Sequence, residues 1–308
     1  MEKLDLNYFA EILKVSTDTF DSALRDKIED YNLIYELCEK DEEQLLIKAL
    51  DTIFTDKQKI GVAERKDVWF NGWNENYKNF AESSDFKDLV PKYVVNNDVK
   101  PFRLNQKYIK SNIDLFEMKF YEIYREWIFK NYFNGFDNYY EFGCGTGHNI
   151  LALNKIYPQT NIIGTDFVDP PSKILNLIGK KFGLNISGDV FDMKQPNKNF
   201  EIKPNSLIYT CGSIEQINSE FHNFFDYLFE KKPKRCVHIE PVIELYDQEN
   251  LIDYVASLYY SKRGYTAGML PHLQNLELDK KIKILKITRP YFGSFMMEGF
   301  NLIVWEII

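Results

Sequence analysis

The residues best placed to do chemistry lie in YEFGCGTGHN, positions 140 to 149. Glu141 precedes three glycines, Gly143, Gly145 and Gly147, which alternate with Cys144 and Thr146. Glycine has no Cβ, so such a run lets a ligand come close to the backbone. A helix starting just beyond it offers free N–H groups and a partial positive charge, which suits an anionic group. A dinucleotide loop places its third glycine one residue later, to pack helix on strand, and His148 stands at that position. Two acids follow. Asp166 ends the run NIIGTD, and Asp189 lies in SGDVFDM just before Val190 and Phe191. An acid at the end of the strand after a glycine loop can accept two hydrogen bonds from a ribose diol.

Further along, Glu215 lies in YTCGSIEQI, just after the fourth strand, and Glu240 ends RCVHIE with His238 two residues earlier, on the same strand face. Each is a candidate general base. Glu215 has a second reading as a helix-start acid favoured by the dipole, and His238 as a satisfied core histidine. The segment 259–274, YYSKRGYTAGMLPHLQ, carries Lys262, Arg263, Tyr265 and His272 among two glycines. Cations there suit a phosphate-bearing or otherwise anionic substrate, with His272 a fourth candidate base. Loops of this composition cover substrate pockets, and glycines let them move; an ordinary surface loop is the alternative.

Elements must hold these residues in place. After residue 136, short apolar runs alternate with helical patterns. Strands are expected at 137–142, 160–165, 184–188, 205–211 and 235–240, with helices at 147–156, 172–182 and 214–230. In the last helix Ile217, Phe221, Phe224 and Leu228 line one face. Alternating β and α units imply a parallel sheet with right-handed crossovers. KIKILKITRP and FNLIVWEII have no helix between them, and predict an antiparallel pair closing the sheet. The first 110 residues read mostly as helix, without strand-like alternation. Asp41 to Gln44 has the form of a capping box, with Asp41 as N-cap and Gln44 at N3. Residues 66–106 are less regular and carry Trp69, Trp73, Tyr77, Phe80 and Tyr93. An amphipathic helix is clear from Phe116, Phe120, Ile123, Trp127 and Tyr132.

At this point the chain resembles a class I S-adenosylmethionine-dependent methyltransferase. The resemblance rests on an acid before G-x-G-x-G, acids at two successive strand ends, and the strand order. It covers roughly residues 112 to 308. It implies an α/β fold, with a Rossmann-like seven-stranded, mostly parallel sheet, an antiparallel last strand and an N-terminal helical region. The division it suggests is a cap region at 1–110 and a catalytic domain at 111–308. It implies S-adenosylmethionine as cofactor, with Glu141 ordering the loop and facing the cationic amine, and the glycines lying against the ligand. Asp166 would meet the ribose, Asp189 the exocyclic amine and Val190 the adenine ring, while Cys211 borders cofactor and substrate. An N-terminal piece commonly covers the cofactor in this family, which makes Gln106, Tyr108 and Arg103 of RLNQKYI candidates.

Methyl transfer from a sulfonium needs alignment and exclusion of water, and a neutral hydroxyl acceptor also needs a base. Enzymes that methylate nucleic-acid amines carry (N/D)-P-P-(Y/F) after the fourth strand; here Cys211-Gly212-Ser213-Ile214 stands there. VDPP at 168–171 follows the second strand instead and reads as a helix start. The helical N-terminal region, HIEPVIELYD and RPYFGSFMMEGFNLIVWE are similar to bacterial enzymes that tailor cell-surface polysaccharides. The resemblance then implies methylation of a sugar hydroxyl or of a phosphoramidate or phosphate group. The alternatives are an NAD-dependent oxidoreductase on the same fold and a non-catalytic nucleotide-binding scaffold.

Composition bounds these readings. The chain has 308 residues, 44% hydrophobic and 27% charged, as in ordinary globular proteins. A net charge of -8 without a long basic run disfavours nucleic acid as partner. Cys38, Cys144, Cys211 and Cys236 show no metal-ligand spacing and read as small buried thiols. No apolar run reaches the ~18 residues of a membrane span, and the acidic N-terminus is unlike a secretory signal. A soluble, cytoplasmic protein acting on a small molecule is expected.

Overall fold

The computed structural model describes residues 1–60, 64–90 and 101–308; Tyr93 lies outside them. The N-terminal part contains β1 (Glu2–Lys3), α1 (Leu6–Leu13), α2 (Ser22–Tyr31), β2 (Ile34–Leu37), α3 (Glu42–Thr55), α4 (Glu64–Ser83), β3 (Phe102–Leu104), β4 (Lys107–Lys110) and α5 (Phe116–Tyr132). There follow β5 (Asn138–Phe142), α6 (His148–Ile156), β6 (Asn161–Asp166), α7 (Asp169–Phe182), β7 (Ile186–Val190), β8 (Ser206–Cys211), α8 (Phe221–Lys231) and β9 (Arg235–Glu240). The chain ends with α9 (Leu251–Arg263), α10 (Met269–Leu278), β10 (Ile282–Thr288), β11 (Phe292–Gly293) and β12 (Asn301–Ile307).

The seven-stranded sheet has the order β10-β12-β9-β8-β5-β6-β7. Strands β5 to β9 run parallel, and β12 is antiparallel to both β9 and β10. This is the Rossmann-like, mostly parallel sheet with an antiparallel last strand that the sequence predicts. The chain leaves β5 to build β6 and β7 on one side, then returns to add β8 and β9 on the other. Such a reversal opens a crevice at the carboxyl ends of the central strands. Helix α7 begins with Pro170 and Pro171 in its first turn, where a missing N–H costs nothing, and stops at Gly183 with φ 65°.

Three features differ from the sequence expectations. First, the N-terminal part also contributes strands. They form a five-stranded sheet, β1-β2-β4-β3-β11, whose last member comes from Phe292–Gly293. Second, the 20-residue helix α4, Glu64–Ser83, runs through the first part of the irregular-looking stretch 66–106. Third, the segment 259–274 is the end of α9, a short turn and the start of α10. Its two glycines are helix caps, Gly264 at φ 70° ending α9 and Gly268 at φ 90° starting α10. They end and begin helices, which glycine does by adopting positive φ without the cost that a side chain brings there.

One apolar cluster is shared between the N-terminal part and the large sheet. It includes Leu4, Phe9 and Leu24 with Phe120, Trp127, Val237 and Val304. Phe292 of β11 stacks on Phe120 of α5, ring centroids 3.9 Å apart. A second cluster, with Phe142, Phe191, Phe224, Phe225 and Trp305, covers the other face of the sheet. A buried four-charge group ties the same parts together. Arg103 reaches Asp253 at 2.5 Å, and Arg289 reaches Asp253 and Glu298 at 2.7 Å each. The Tyr246 ring lies against both guanidinium groups. Among the described residues, no helix is long and apolar enough to cross a membrane.

Candidate functional site

The glycine loop leaves β5 at the crevice. Gly143, Gly145 and Gly147 have φ of 80°, 50° and 80°, the left-handed region that side chains oppose. The backbone N–H groups of Gly143 and Cys144 donate to Thr165 O at 2.8 and 2.9 Å, pinning the loop to β6. Gly145 N–H donates to Asp166 Oδ2 at 3.1 Å. A Cβ on Gly143 would sit 2.3 Å from the Ser213 Cβ, and one on Gly147 2.5 Å from a Leu175 methyl. Gly147 gives α6 no side-chain cap, so the first N–H groups of that helix have none of the usual side-chain acceptor. Beside them the buried Thr146 Oγ1 and the His148 Nε2 have no partner among the described residues. Burial holds the His148 imidazole neutral, its pKa lowered to about 4.

Behind the loop lies a polar network. Glu141 is fully buried and accepts from Asn149 Nδ2 at 2.8 Å and from the Tyr209 hydroxyl at 3.1 Å. Asn149 Oδ1 in turn accepts from Arg125 at 2.8 Å and from the Tyr121 hydroxyl at 3.0 Å. The Tyr121 hydroxyl also lies 2.8 Å from Cys211 Sγ. Burial pushes Glu141 up to about 8, against the pull of Asn149, Tyr209 and Arg125. Burial likewise raises Asp166 to about 6, despite backbone N–H donors. At the sheet edge Asp189 is exposed and accepts from Val190 N–H at 2.7 Å. Val190 is 46% exposed, an apolar surface at a strand end, while Phe191 below it is core.

The structure thus brings Glu141, the three glycines, Asp166, Asp189, Val190 and Cys211 to adjacent ends of β5, β6, β7 and β8. Register does this directly, pairing Glu141 with Tyr209 and Asp166 with Val190. Gln106 and Tyr108 are placed elsewhere. Gln106 donates to Asp253 at 2.9 Å, and Tyr108 packs with Cys38 and Ile252 against Phe295. Tyr108 is in β4 and Gln106 in the turn between β3 and β4, a surrounding that a helical reading of this region could not supply. Tyr121, Arg125, Asn149 and Tyr209 were not singled out from sequence. The available signal was Arg125, four residues after Tyr121 on the otherwise apolar face of α5, since a buried arginine needs an acceptor.

The candidate bases separate. Glu240 is 1% exposed, and its carboxylate accepts from the N–H groups of Ser213 at 3.0 Å, Ile214 at 3.2 Å and Glu215 at 3.4 Å. It orders the turn after β8. His238 is fully buried, near Phe225 and Trp305, with Nδ1 2.9 Å from Thr210 Oγ1. Burial lowers it to about 3, so it is a neutral core imidazole. His272 packs on α8 against Phe221, His222 and Phe225. Glu215 is half-buried, and its side chain meets Gln216 Nε2 at 2.7 Å. Burial, and then Glu240, raise it to about 8.

The cations of α9 are engaged with the N-terminal part. Lys262 donates to Phe54 O at 3.2 Å, and Arg263 pairs with Asp56 at 2.5 Å. Tyr265 is buried with Tyr259 and Tyr260. Helix α4 overlies the glycine loop. A Cβ on Gly145 would lie 3.1 Å from the Trp73 ring, and Trp73 stacks on Trp69 with centroids 5.4 Å apart.

No family model matches the chain, and no curated protein does. Solved structures with a similar fold exist. Geranyl diphosphate methyltransferase in complex with SAM is 12% identical, with 61% of this chain and 85% of that chain covered and a TM-score of 0.46. Geranyl diphosphate C-methyltransferase from Streptomyces coelicolor A3(2), with Mg2+, geranyl diphosphate and S-adenosyl-L-homocysteine, is 12% identical, covering 62% and 80% at a TM-score of 0.47. An O-methyltransferase family 2 protein from Planctomyces limnophilus, in complex with apigenin, is 14% identical, covering 56% and 51% at a TM-score of 0.40.

Proposed function

We propose that the chain is an S-adenosylmethionine-dependent methyltransferase acting on a small molecule. The observation that carries this is the left-handed glycine loop at the reversal of strand order, between buried Glu141 and Asp166. Beside it the buried Thr146 hydroxyl, without a partner among the described residues, fits a ligand site. In this proposal the α6 N-terminus takes the ligand carboxylate and Glu141, with Asn149 and Tyr209, faces the amine. Asp166 takes the ribose diol, and Asp189 and Val190 take the adenine. The cofactor supplies a methyl group activated by a positive sulfur. Glu215 accepts the proton of an acceptor hydroxyl, for which a pKa of about 8 suits a base working near neutral pH.

The finer proposal is O-methylation of a sugar hydroxyl, or of a phosphoramidate- or phosphate-bearing precursor, in bacterial capsular or surface polysaccharide synthesis in the cytoplasm. Its support is the texture of HIEPVIELYD and RPYFGSFMMEGFNLIVWE. Residues 1–110 act as the cap over 111–308; the support is Trp73 against Gly145. Isothermal titration tests the cofactor. Micromolar binding of S-adenosylhomocysteine without NAD(H) binding is expected, and NAD(H) binding alone overturns the proposal. Methyl transfer to an acceptor then separates an enzyme from a scaffold. Loss of O-methyl signals from the surface glycan of a deletion strain tests the finer step, and an unchanged glycan counts against it.

A further inference from the structure

Helix α4 presents Arg65, Trp69 and Trp73 at successive i, i+4 positions, hence on one face. The Trp73 end lies over Gly145 of the glycine loop. Trp69 stacks on Trp73, and the Arg65 guanidinium lies 5.5 Å from the Trp69 ring. Eight helical residues span ~12 Å, so one face reaches from the proposed cofactor loop toward the neighbouring site. Its far end is tied toward Glu215 by a chain of contacts: Arg65 meets Gln58, the Gln58 N–H donates to Asp56 at 3.0 Å, Asp56 pairs with Arg263 at 2.5 Å, and the Thr266 N–H, three residues further on, donates to Glu215 O at 3.0 Å.

Two polar atoms at this end are buried without partners among the described residues, Arg65 Nε and Gln216 Oε1. Arg65 otherwise meets the Gln58 side chain at 3.4 Å, a weak contact. Gln216 has already spent its amide group on Glu215 at 2.7 Å, which leaves its oxygen needing a donor. Arg263, the other nearby cation, is neutralised by Asp56 at 2.5 Å. A buried polar atom left without a hydrogen bond is costly, so two such atoms at this end of the face mark a place where a ligand completes the bonding. A bound molecule that satisfies both offers an oxygen to the guanidinium and an O–H or N–H to the amide oxygen.

We propose that Arg65 binds an anionic oxygen of the acceptor while Gln216 takes a neighbouring hydroxyl or amino proton. The acceptor class is therefore a small polar molecule carrying a phosphate or carboxylate next to a hydroxyl or amine. Arg65 suits this because a guanidinium meets such oxygens with two parallel bonds. The inference rests on the methyl-transfer reading of this sheet edge.

Inorganic phosphate is the probe, titrated into the full chain saturated with S-adenosylhomocysteine and followed by tryptophan fluorescence, since Trp69 lies against Arg65, and by calorimetry. Saturable binding is expected. Arg65→Gln weakens it at least ~10-fold, about 1.4 kcal/mol. Arg65→Lys restores part of it, and Lys66→Gln, on the exposed side of α4, leaves it unchanged. Absence of saturable binding in the unmodified chain, equal binding by Arg65→Gln, or equal weakening by Lys66→Gln overturns the proposal. S-adenosylhomocysteine binding is measured in each protein. Its loss in the unmodified chain refutes the cofactor reading, whereas its retention with an unaltered phosphate response in Arg65→Gln refutes the Arg65 role alone.

Discussion

Glu141 lies fully buried behind the glycine loop, and it is where protonation matters most. In the unfolded chain it ionises near 4.5, whereas burial in the fold holds its proton up to about 8. Between those values the folded state binds more protons than the unfolded state. Its contribution is full below about 4.5, is lost as pH rises, and levels off above about 8. The slope has an upper limit of ~1.4 kcal/mol per pH unit for one group. Asp166 acts with the same sign between 3.8 and about 6. The melting temperature of the ligand-free protein should therefore fall from pH 6.5 to pH 8, above the range in which the buried His148 and His238, lowered to about 4 and about 3, act with the opposite sign. Glu141→Gln, which keeps an oxygen for Asn149 and Tyr209, should lessen the slope above pH 6, the remainder coming from Glu215, which is also raised to about 8. A cationic amine beside Glu141 reverses the preference, so S-adenosylhomocysteine should bind more tightly as pH rises from 6 to 8, and that dependence should shrink in the glutamine variant. A pH-independent melting temperature in the parent protein would refute the buried-proton account. The acids and glycines were legible because each sits at a strand end in a fixed pattern. Tyr121 and Arg125 were not, because their roles depend on how α5 packs against α6.

At the scale of elements, helix starts distinguish pattern from geometry. Asp41 occupies the N-cap position of α3 within a capping-box sequence, yet its ψ is near 0° and its side chain makes no cap bond. Asn250, in no such pattern, caps α9 fully, its Oδ1 accepting from Ile252 N–H and Asp253 N–H at 3.1 Å each. Removing a working cap costs ~1 kcal/mol, and removing an exposed side chain without one stays within ~0.5 kcal/mol. Asn250→Ala should lower the urea midpoint by the larger amount, and Asp41→Ala should leave it nearly unchanged; the opposite ranking would show that the cap assignments are reversed. The same contrast explains which elements could be read from the sequence. The strands of the large sheet are five to seven residues long, and most contain a short local apolar stretch, such as LIY in β8 or LIVW in β12. Those of the small sheet are two to four residues long and exist through distant partners, as Phe292 pairs with Leu104. Alternation cannot show in so short a run. Helices α9 and α10 were hidden for a different reason, because glycine at a helix boundary looks the same as glycine in a mobile loop.

For the whole molecule, the question is whether the N-terminal 110 residues move as a separate body. Their apolar side chains belong to the same cluster as those of β9 and β12, and β11 completes their sheet from the far end of the chain. Asp253 sits at the junction, bonded to Arg103 from the small sheet and Arg289 just beyond β10. The cluster holds two cations and two carboxylates, so it is neutral as it stands. Deleting Asp253 leaves two buried guanidinium groups sharing Glu298, and loss of one partner of a buried pair costs ~3–5 kcal/mol. Asp253→Ala should therefore destabilise by that amount. More tellingly, it should shift one cooperative transition, seen alike by far-ultraviolet circular dichroism and tryptophan fluorescence. The four tryptophans divide between the parts, with Trp69 and Trp73 on α4, Trp127 on α5 and Trp305 on β12. A separable cap would lose its α4 signal first, giving two transitions, while a single coincident transition requires that cap and sheet share one core. If they do, the cap cannot swing away as a rigid body to admit a ligand. Entry then has to come from local movement of α4 across the glycine loop, with the small sheet and its charge cluster staying in place.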